Sequence, residues 1–253
     1  MSRPVRRVAV VGDDGTLRDA VTGAGGTLVP AADADAIVAV GEGGIREAVR
    51  SPTDGPPVLP VGSGRYAISR PDVATALREL LAERNRVVTH PLLSVTVDRD
   101  PIDSATGEQV IDQGRDGIDE LAALDVAAVT DEPARISEYR IGFAGGRTAT
   151  VRADGVVVAT PLGSDGYARA AGGPTLEPAA GVSVVPISPF TTDAEAWVAA
   201  DAVTLAVERD EVPVSVVVDG DPVGPFSPAE PLRVAADGRI RLFSVPTLRD
   251  GER

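Results

Sequence analysis

DGVVVATPLGSDGYARAAGGP, residues 154–174, joins a buried strand to a turn suited to a polar ligand. Val156, Val157, Val158 and Ala159 form a short, β-branched apolar run bounded by Asp154-Gly155 and Pro161, which predicts an interior strand rather than a helix. Gly163, Ser164, Asp165, Gly166 and Tyr167 then bring two glycines, a hydroxyl, a carboxylate and an aromatic ring together, and Gly172-Gly173-Pro174 closes a second tight turn. Small residues let backbone N–H groups come close to a ligand, while Ser164, Asp165 and Tyr167 can hydrogen-bond its hydroxyls. Taken alone, the same letters also suit a glycine-rich hairpin loop of an unrelated β protein.

Outward from this segment the chain has two textures. From Val5 to about Arg84, apolar strands alternate with helical stretches (RRVAVVG, GTLRDAVTGAG, DAIVAVG, IREAVRS, PPVLPVG, PDVATALRELLAER), the pattern of a parallel sheet with crossover helices. After Asn85 strands predominate: Val87–Val97, Ile136–Phe143, Arg147–Val151, Gly155–Thr160, Val182–Ile187, Val203–Val207, Val212–Val218 and Ile240–Val245, separated by Gly, Pro and Asp. That spacing predicts a largely antiparallel sandwich with one helix inside it, over Gly117–Ala123. The expected division is an α/β domain over residues 1–85 and a β-sandwich domain over residues 86–253, with the C-terminal tail able to return to the first domain.

The 253 residues carry 24 basic and 38 acidic side chains, a net charge of −14, and every basic residue other than His90 is arginine. Such an acidic surface tolerates molar salt, where the Debye length falls to about 3 Å, and points to a halophilic source. It also argues against nucleic acid or an anionic membrane as partner, since both require a basic face. The lack of lysine excludes a Walker A loop and a Schiff-base nucleophile, so phosphate would be handled by backbone amides, arginines and a metal. The lack of cysteine excludes disulfides, thiolate catalysis and cysteine-bound zinc. Residues 1–16 run into a strand and a turn without an apolar leader, so a cytoplasmic protein is expected.

The 154–174 segment resembles the signature of NAD kinases, in which a strand reading aDG-vvv-TP is followed by GSTAY and then AGGP. Asp154, Gly155, Thr160, Pro161, Gly163, Ser164, Tyr167, Gly172, Gly173 and Pro174 stand in the family's places, whereas Asp165 and Gly166 replace Thr and Ala. The resemblance implies a Rossmann-like domain joined to a β-sandwich, and transfer of a phosphoryl group from ATP or polyphosphate, with Mg²⁺, to the 2′-hydroxyl of the adenosine ribose of NAD. It also implies a homo-oligomer. A divergent paralogue that binds NAD(P) without phosphoryl transfer is the alternative.

Ala36–Ile45 is similarly informative: a strand breaks at Gly41-Glu42-Gly43-Gly44 and opens a helix, a geometry that aims N–H groups and a positive helix end at one spot. The family's turn here reads GGDGT, and the resemblance implies that its acidic residue draws the proton from the ribose hydroxyl. Glu42 would be that base, Gly41, Gly43, Gly44 and Arg65 would meet phosphates, and Gly44 lacks the family's hydroxyl. Gly12-Asp13-Asp14-Gly15-Thr16 matches GGDGT by letters, leaving Asp14 as a competitor. Only Gly41-Glu42 is followed at the family's distance by a proline-led strand and a turn, Pro57–Arg65, resembling GINxGxxGFL. Asp131-Glu132 stands where an Asn-Glu pair is expected, so the resemblance has Asp131, Glu132, Asp154, Ser164, Asp165, Gly166 and Tyr167 hold the dinucleotide. Phe190 replaces a family histidine, Asp219-Gly220 resembles a late-strand DG, and His90, the single histidine, reads as structural.

Overall fold

A computed structural model of the chain describes residues 4–12, 15–50, 55–97, 118–132, 135–191, 195–209, 213–226, 228 and 230–245. Near its N-terminus, β1 (Arg7–Val11), α1 (Gly15–Gly23), β2 (Thr27–Leu28), β3 (Ala36–Val40), α2 (Gly41–Val49), β4 (Val58–Val61) and α3 (Val73–Leu81) alternate as the texture predicts. β2, β1, β3 and β4 pair in parallel, with Val8 opposite Ala36 and Val38 opposite Leu59. Because helices cover both faces of this sheet, β3 and β4 read as continuous rather than alternating apolar runs. Asp35 fixes the entry to β3: its carboxylate accepts from the Arg7 amide at 2.9 Å and the Arg7 guanidinium at 2.9 Å, which holds its pKa well below the ordinary carboxylate value.

Strands dominate beyond α3: β5 (Arg86–Val97), β6 (Asp119–Ala122), β7 (Asp125–Thr130), β8 (Ser137–Phe143), β9 (Thr148–Ala153) and β10 (Gly155–Ala159) precede the short helix α4 (Tyr167–Ala170). β11 (Val182–Ile187), β12 (Trp197–Ala199), β13 (Ala202–Arg209), β14 (Val214–Val218), β15 (Asp221–Phe226) and β16 (Leu232–Ser244) complete the order. One sheet runs β12-β11-β10-β7-β14-β15. The other runs β2-β1-β3-β4-β16-β13-β8-β9, with β5 on β16 and β6 on β5. The sandwich core lies between the sheets, with Val126, Val156, Val158, Val184 and Val216 facing Leu93, Tyr139, Ile141, Leu205 and Leu232. Leu242 of β16 pairs in parallel with Val58 of β4, and Phe243 and Val245 enter the core around α3.

β10 is buried at all five positions because it has two apolar neighbours. Val156 and Val158 enter the sandwich core, while Val157 and Ala159 pack with Ala127, Ala168 and Val185 beneath α4.

The helix expected over Gly117–Ala123 is not formed; Gly117 lies outside the described residues, and Asp119–Ala122 is strand β6. Its Leu121 and Ala122 pair with Ser94 and Leu93, so the free edge of β5 overrides the helical propensity of Leu-Ala-Ala-Leu. The strand expected over Ile240–Val245 is the end of the longer β16.

Candidate functional site

The site is built around residues 123–125, where the chain passes from β6 into β7. The Asp219 carboxylate, buried at the end of β14, accepts from the amides of Ala123 (2.8 Å), Leu124 (2.7 Å) and Asp125 (3.1 Å). From the other side, the Thr160 hydroxyl donates to the Ala123 carbonyl at 2.6 Å. A side chain at Gly163 would collide with the Leu124 carbonyl, which is why the turn after β10 has glycine there. Held from both sides, Asp125 has its backbone fixed before any ligand arrives.

Helix α2 reaches this place with two charged residues one turn apart. Glu42, exposed in its first turn, lies against the β14–β15 turn: a Cβ at Gly220 would stand 2.7 Å from Oε2. Ser63 donates its hydroxyl to Glu42 Oε1 at 3.3 Å. The buried Arg46 guanidinium pairs with Asp221 at 2.5 Å and Glu120 at 3.6 Å, pinning the helix to the sandwich. Gly41 and Gly43 have open space where a side chain would be. Gly44 differs: a Cβ there would be 2.9 Å from the Val11 carbonyl oxygen, so glycine lets α2 sit close on the ends of β1 and β3.

Three carboxylates therefore converge. Burial pushes the Asp125 carboxyl up to about 7, and the nearby charges of Asp219 and Glu42 add to the rise. Asp219 is also raised by burial, against its three amide donors and the Arg46 charge. Asp125 escaped the sequence reading; the signal for it was a carboxylate heading the apolar run Val126–Val129.

On the other wall, Ser164 is buried and its hydroxyl is used within the fold, donating to the Pro161 carbonyl at 3.0 Å and accepting from the Leu176 amide at 2.9 Å. Asp165, Gly166 and Tyr167 are exposed beside it. Tyr167 has its pKa raised by partial burial and by the charges of Asp125 and Asp154. Arg65 donates to the Leu176 carbonyl and, at 2.6 Å, to Glu177. Asp131 and Glu132 are not brought to Glu42. They follow the far end of β7, where Asp154 lies opposite Thr130, and Glu132 is exposed and paired with Arg135 at 3.4 Å. The physical reason is register: Asp125 pairs with Ala159 at one end of β10 and Val129 with Gly155 at the other.

Asp14 lies outside the described residues. His90 is buried with its ring 4.6 Å from that of Tyr66. Phe190, 70% exposed, lines a cavity of about 470 Å³ with Arg152 and Trp197 between the edge strands β9 and β12.

Over 228 residues the chain is 31% identical to the NAD kinase of Symbiobacterium thermophilum, an alignment covering 86% of this chain and 76% of that one. The chain belongs to the NAD kinase family. Residues 125–239 match the ATP-NAD kinase C-terminal domain, and the match opens at Asp125. The NAD kinase of Methanopyrus kandleri is 39% identical over 107 residues, 41% of this chain and 39% of the relative.

Two solved structures share the fold. That of the NAD kinase from Archaeoglobus fulgidus, in complex with ATP, superposes with a TM-score of 0.71 at 23% identity, over 97% of this chain and 96% of the other. Yeast NADH kinase, complexed with NADH, gives 0.73 at 16% identity, over 96% and 84%. The expected architecture, an α/β domain followed by a β-sandwich, is thus the fold of this family member.

Proposed function

We propose that this chain phosphorylates NAD, transferring the terminal phosphoryl group of ATP to the 2′-hydroxyl of the adenosine ribose and releasing NADP. The observation that carries the reading is the meeting of an exposed Glu42 carboxylate in the first turn of α2 with Asp125, whose charge also reaches Tyr167 of the Asp165–Tyr167 turn. Phosphoryl transfer asks for positioning and charge stabilisation more than covalent chemistry. Glu42 takes the hydroxyl proton, Gly41 and Gly43 let amides approach phosphate, and Asp165, Gly166 and Tyr167 contact the dinucleotide with Asp154. Asp125, rather than Asp131 or Glu132, faces the reacting ribose. Gly44 serves packing, so its missing hydroxyl does not speak for a binder that has lost transfer, and that alternative is not favoured.

Among the described residues, no group of three or more His, Cys, Asp or Glu could hold a metal ion. That donor set does not form a cage for resident Mg²⁺, which would instead arrive with the phosphates of ATP. Division near residue 85 into a donor-binding and an NAD-binding domain, a cytoplasmic location and assembly into a homo-oligomer belong to the same reading. Among the described residues, no helix is long and apolar enough to cross a membrane.

The test is NADP formation by purified protein at molar KCl with NAD, Mg²⁺ and either ATP or polyphosphate. NADP from ATP is expected; NAD-dependent thermal stabilisation without NADP from either donor would overturn the reading in favour of a binder.

A further inference from the structure

The loop between β4 and α3 touches both walls of the cleft. Ser63 bonds Glu42 at 3.3 Å, and two residues on, the Arg65 amide donates to the Leu162 carbonyl at 3.0 Å. The Arg65 guanidinium spans to the Leu176 carbonyl and to Glu177 Oε1 at 2.6 Å. Leu176 in turn donates its amide to Ser164 Oγ at 2.9 Å, so Arg65 grips the strap that locks the Ser164 turn. The loop is also braced from behind and below. Tyr66 packs its ring on His90 at 4.6 Å, and a Cβ at Gly64 would meet Leu162 Cδ1 at 3.2 Å and Leu124 Cδ2 at 3.4 Å. Gly62 and Gly64 adopt left-handed φ of 80° and 87°, which lets so short a loop reach both walls.

We propose that Arg65 is a positioning residue rather than a phosphate ligand. Through its clasp on Leu176 and Glu177, the 62–66 loop sets the Asp165–Tyr167 turn at a fixed separation from the Glu42 carboxylate. The proposal rests on the NAD kinase reading of the cleft. Arginine suits the task because its planar fork serves two acceptors at once, whereas lysine presents a single ammonium point. Of the two bonds, the one to the Leu176 carbonyl is the more sheltered, since Leu176 is buried and the Glu177 side chain is 76% exposed.

The experiment compares wild type with Arg65→Met, Arg65→Lys, Glu177→Ala and the Arg65→Met/Glu177→Ala double variant. It measures KM for NAD and ATP, kcat, the dissociation constant of NAD by calorimetry, and thermal midpoints. Since a misplacement of about 1 Å can cost on the order of 100-fold, Arg65→Met is expected to raise KM and Kd for NAD at least about 10-fold and to lower kcat. KM for ATP should change by less than about twofold, and Arg65→Lys should recover part of the loss. Glu177→Ala should raise KM for NAD about threefold and add nothing to Arg65→Met, the non-additivity that marks a shared interaction. A rise in KM for ATP with Arg65→Met but not Glu177→Ala would make Arg65 a phosphate ligand and overturn the proposal. So would a fall in thermal midpoint and kcat with both KM values unchanged, which is the signature of a brace with no positioning role. Wild-type protein that makes no NADP fails the kinase reading itself; wild type that makes NADP, with variants that keep its NAD affinity, fails the clasp alone.

Discussion

Asp125 is a single carboxyl whose environment sets both a stability and a rate. Its ordinary pKa in an unfolded chain is about 3.9; folding lifts it to about 7, through burial first and then the charges of Asp219 and Glu42. The folded protein therefore holds this proton more tightly than the unfolded chain. The associated stability is full below about pH 4, falls as pH rises toward 7, and is gone above it. Asp125→Asn removes its part of the slope, leaving that of Asp219, so at pH 8 the variant should be more stable than wild type by about 2 kcal/mol, with about 4 as the ceiling at roughly 1.4 kcal/mol per pH unit. Urea unfolding at pH 5 and pH 8 checks this, and a wild type equally stable at both would refute it. Because Asp125 lies beside Glu42 in the cleft, its own protonation should also appear in the pH–rate profile, as an inflection near 7.

At the scale of elements, the decisive device is the crossing of β7, β10 and the β14–β15 turn over residues 123–125. Asp219→Ala removes a buried acceptor from three amides and should destabilise the fold by about 3–5 kcal/mol, read as a lowered urea midpoint. Gly163→Ala drives a methyl into the Leu124 carbonyl and should cost about 2–4 kcal/mol, whereas Gly41→Ala has open space and meets only its left-handed φ of 66°. Much of this scale is legible in the letters. The β10 run between Gly155 and Pro161 is read from β-branching and its bounding turns, and Glu42 is singled out as the candidate carboxylate by the family-like spacing to the Pro57–Arg65 turn. What stays hidden is pairing. Leu-Ala-Ala-Leu has helical propensity, yet its Leu121 and Ala122 pair as strand because β5 offers an edge, and Ala123 and Leu124 form the bend that follows. The acidic pair Asp131-Glu132 is conspicuous as letters, yet only the β7–β10 register shows that Asp125 is at the Glu42 end. Likewise Arg65 looks like a free guanidinium until the strap over residues 176–177, more than a hundred positions away, folds onto it.

For the whole molecule, the excess of 38 acidic over 24 basic residues means that self-repulsion opposes compaction at low salt. Raising KCl from 0.2 to 2 M should raise the melting temperature by roughly 5–10 °C, which for a chain of this size corresponds to about 2–4 kcal/mol. A midpoint that falls or stays level would argue against adaptation to salt. The return of β16 to β4, the Arg46 pairs with Glu120 and Asp221, and the Arg65 clasp on Leu176 and Glu177 all join the N-terminal and C-terminal halves across the cleft. They place the α2 N-terminus opposite the turn that follows β10, and the central claim is that Glu42 acts there as the base. The most direct measurement is the rate of NADP formation by Glu42→Gln at saturating NAD and ATP, alongside NAD affinity by calorimetry. A base of this kind contributes about 100- to 10,000-fold, so the account predicts a loss in that range with NAD affinity within about threefold of wild type; a variant that forms NADP at nearly the wild-type rate would contradict it.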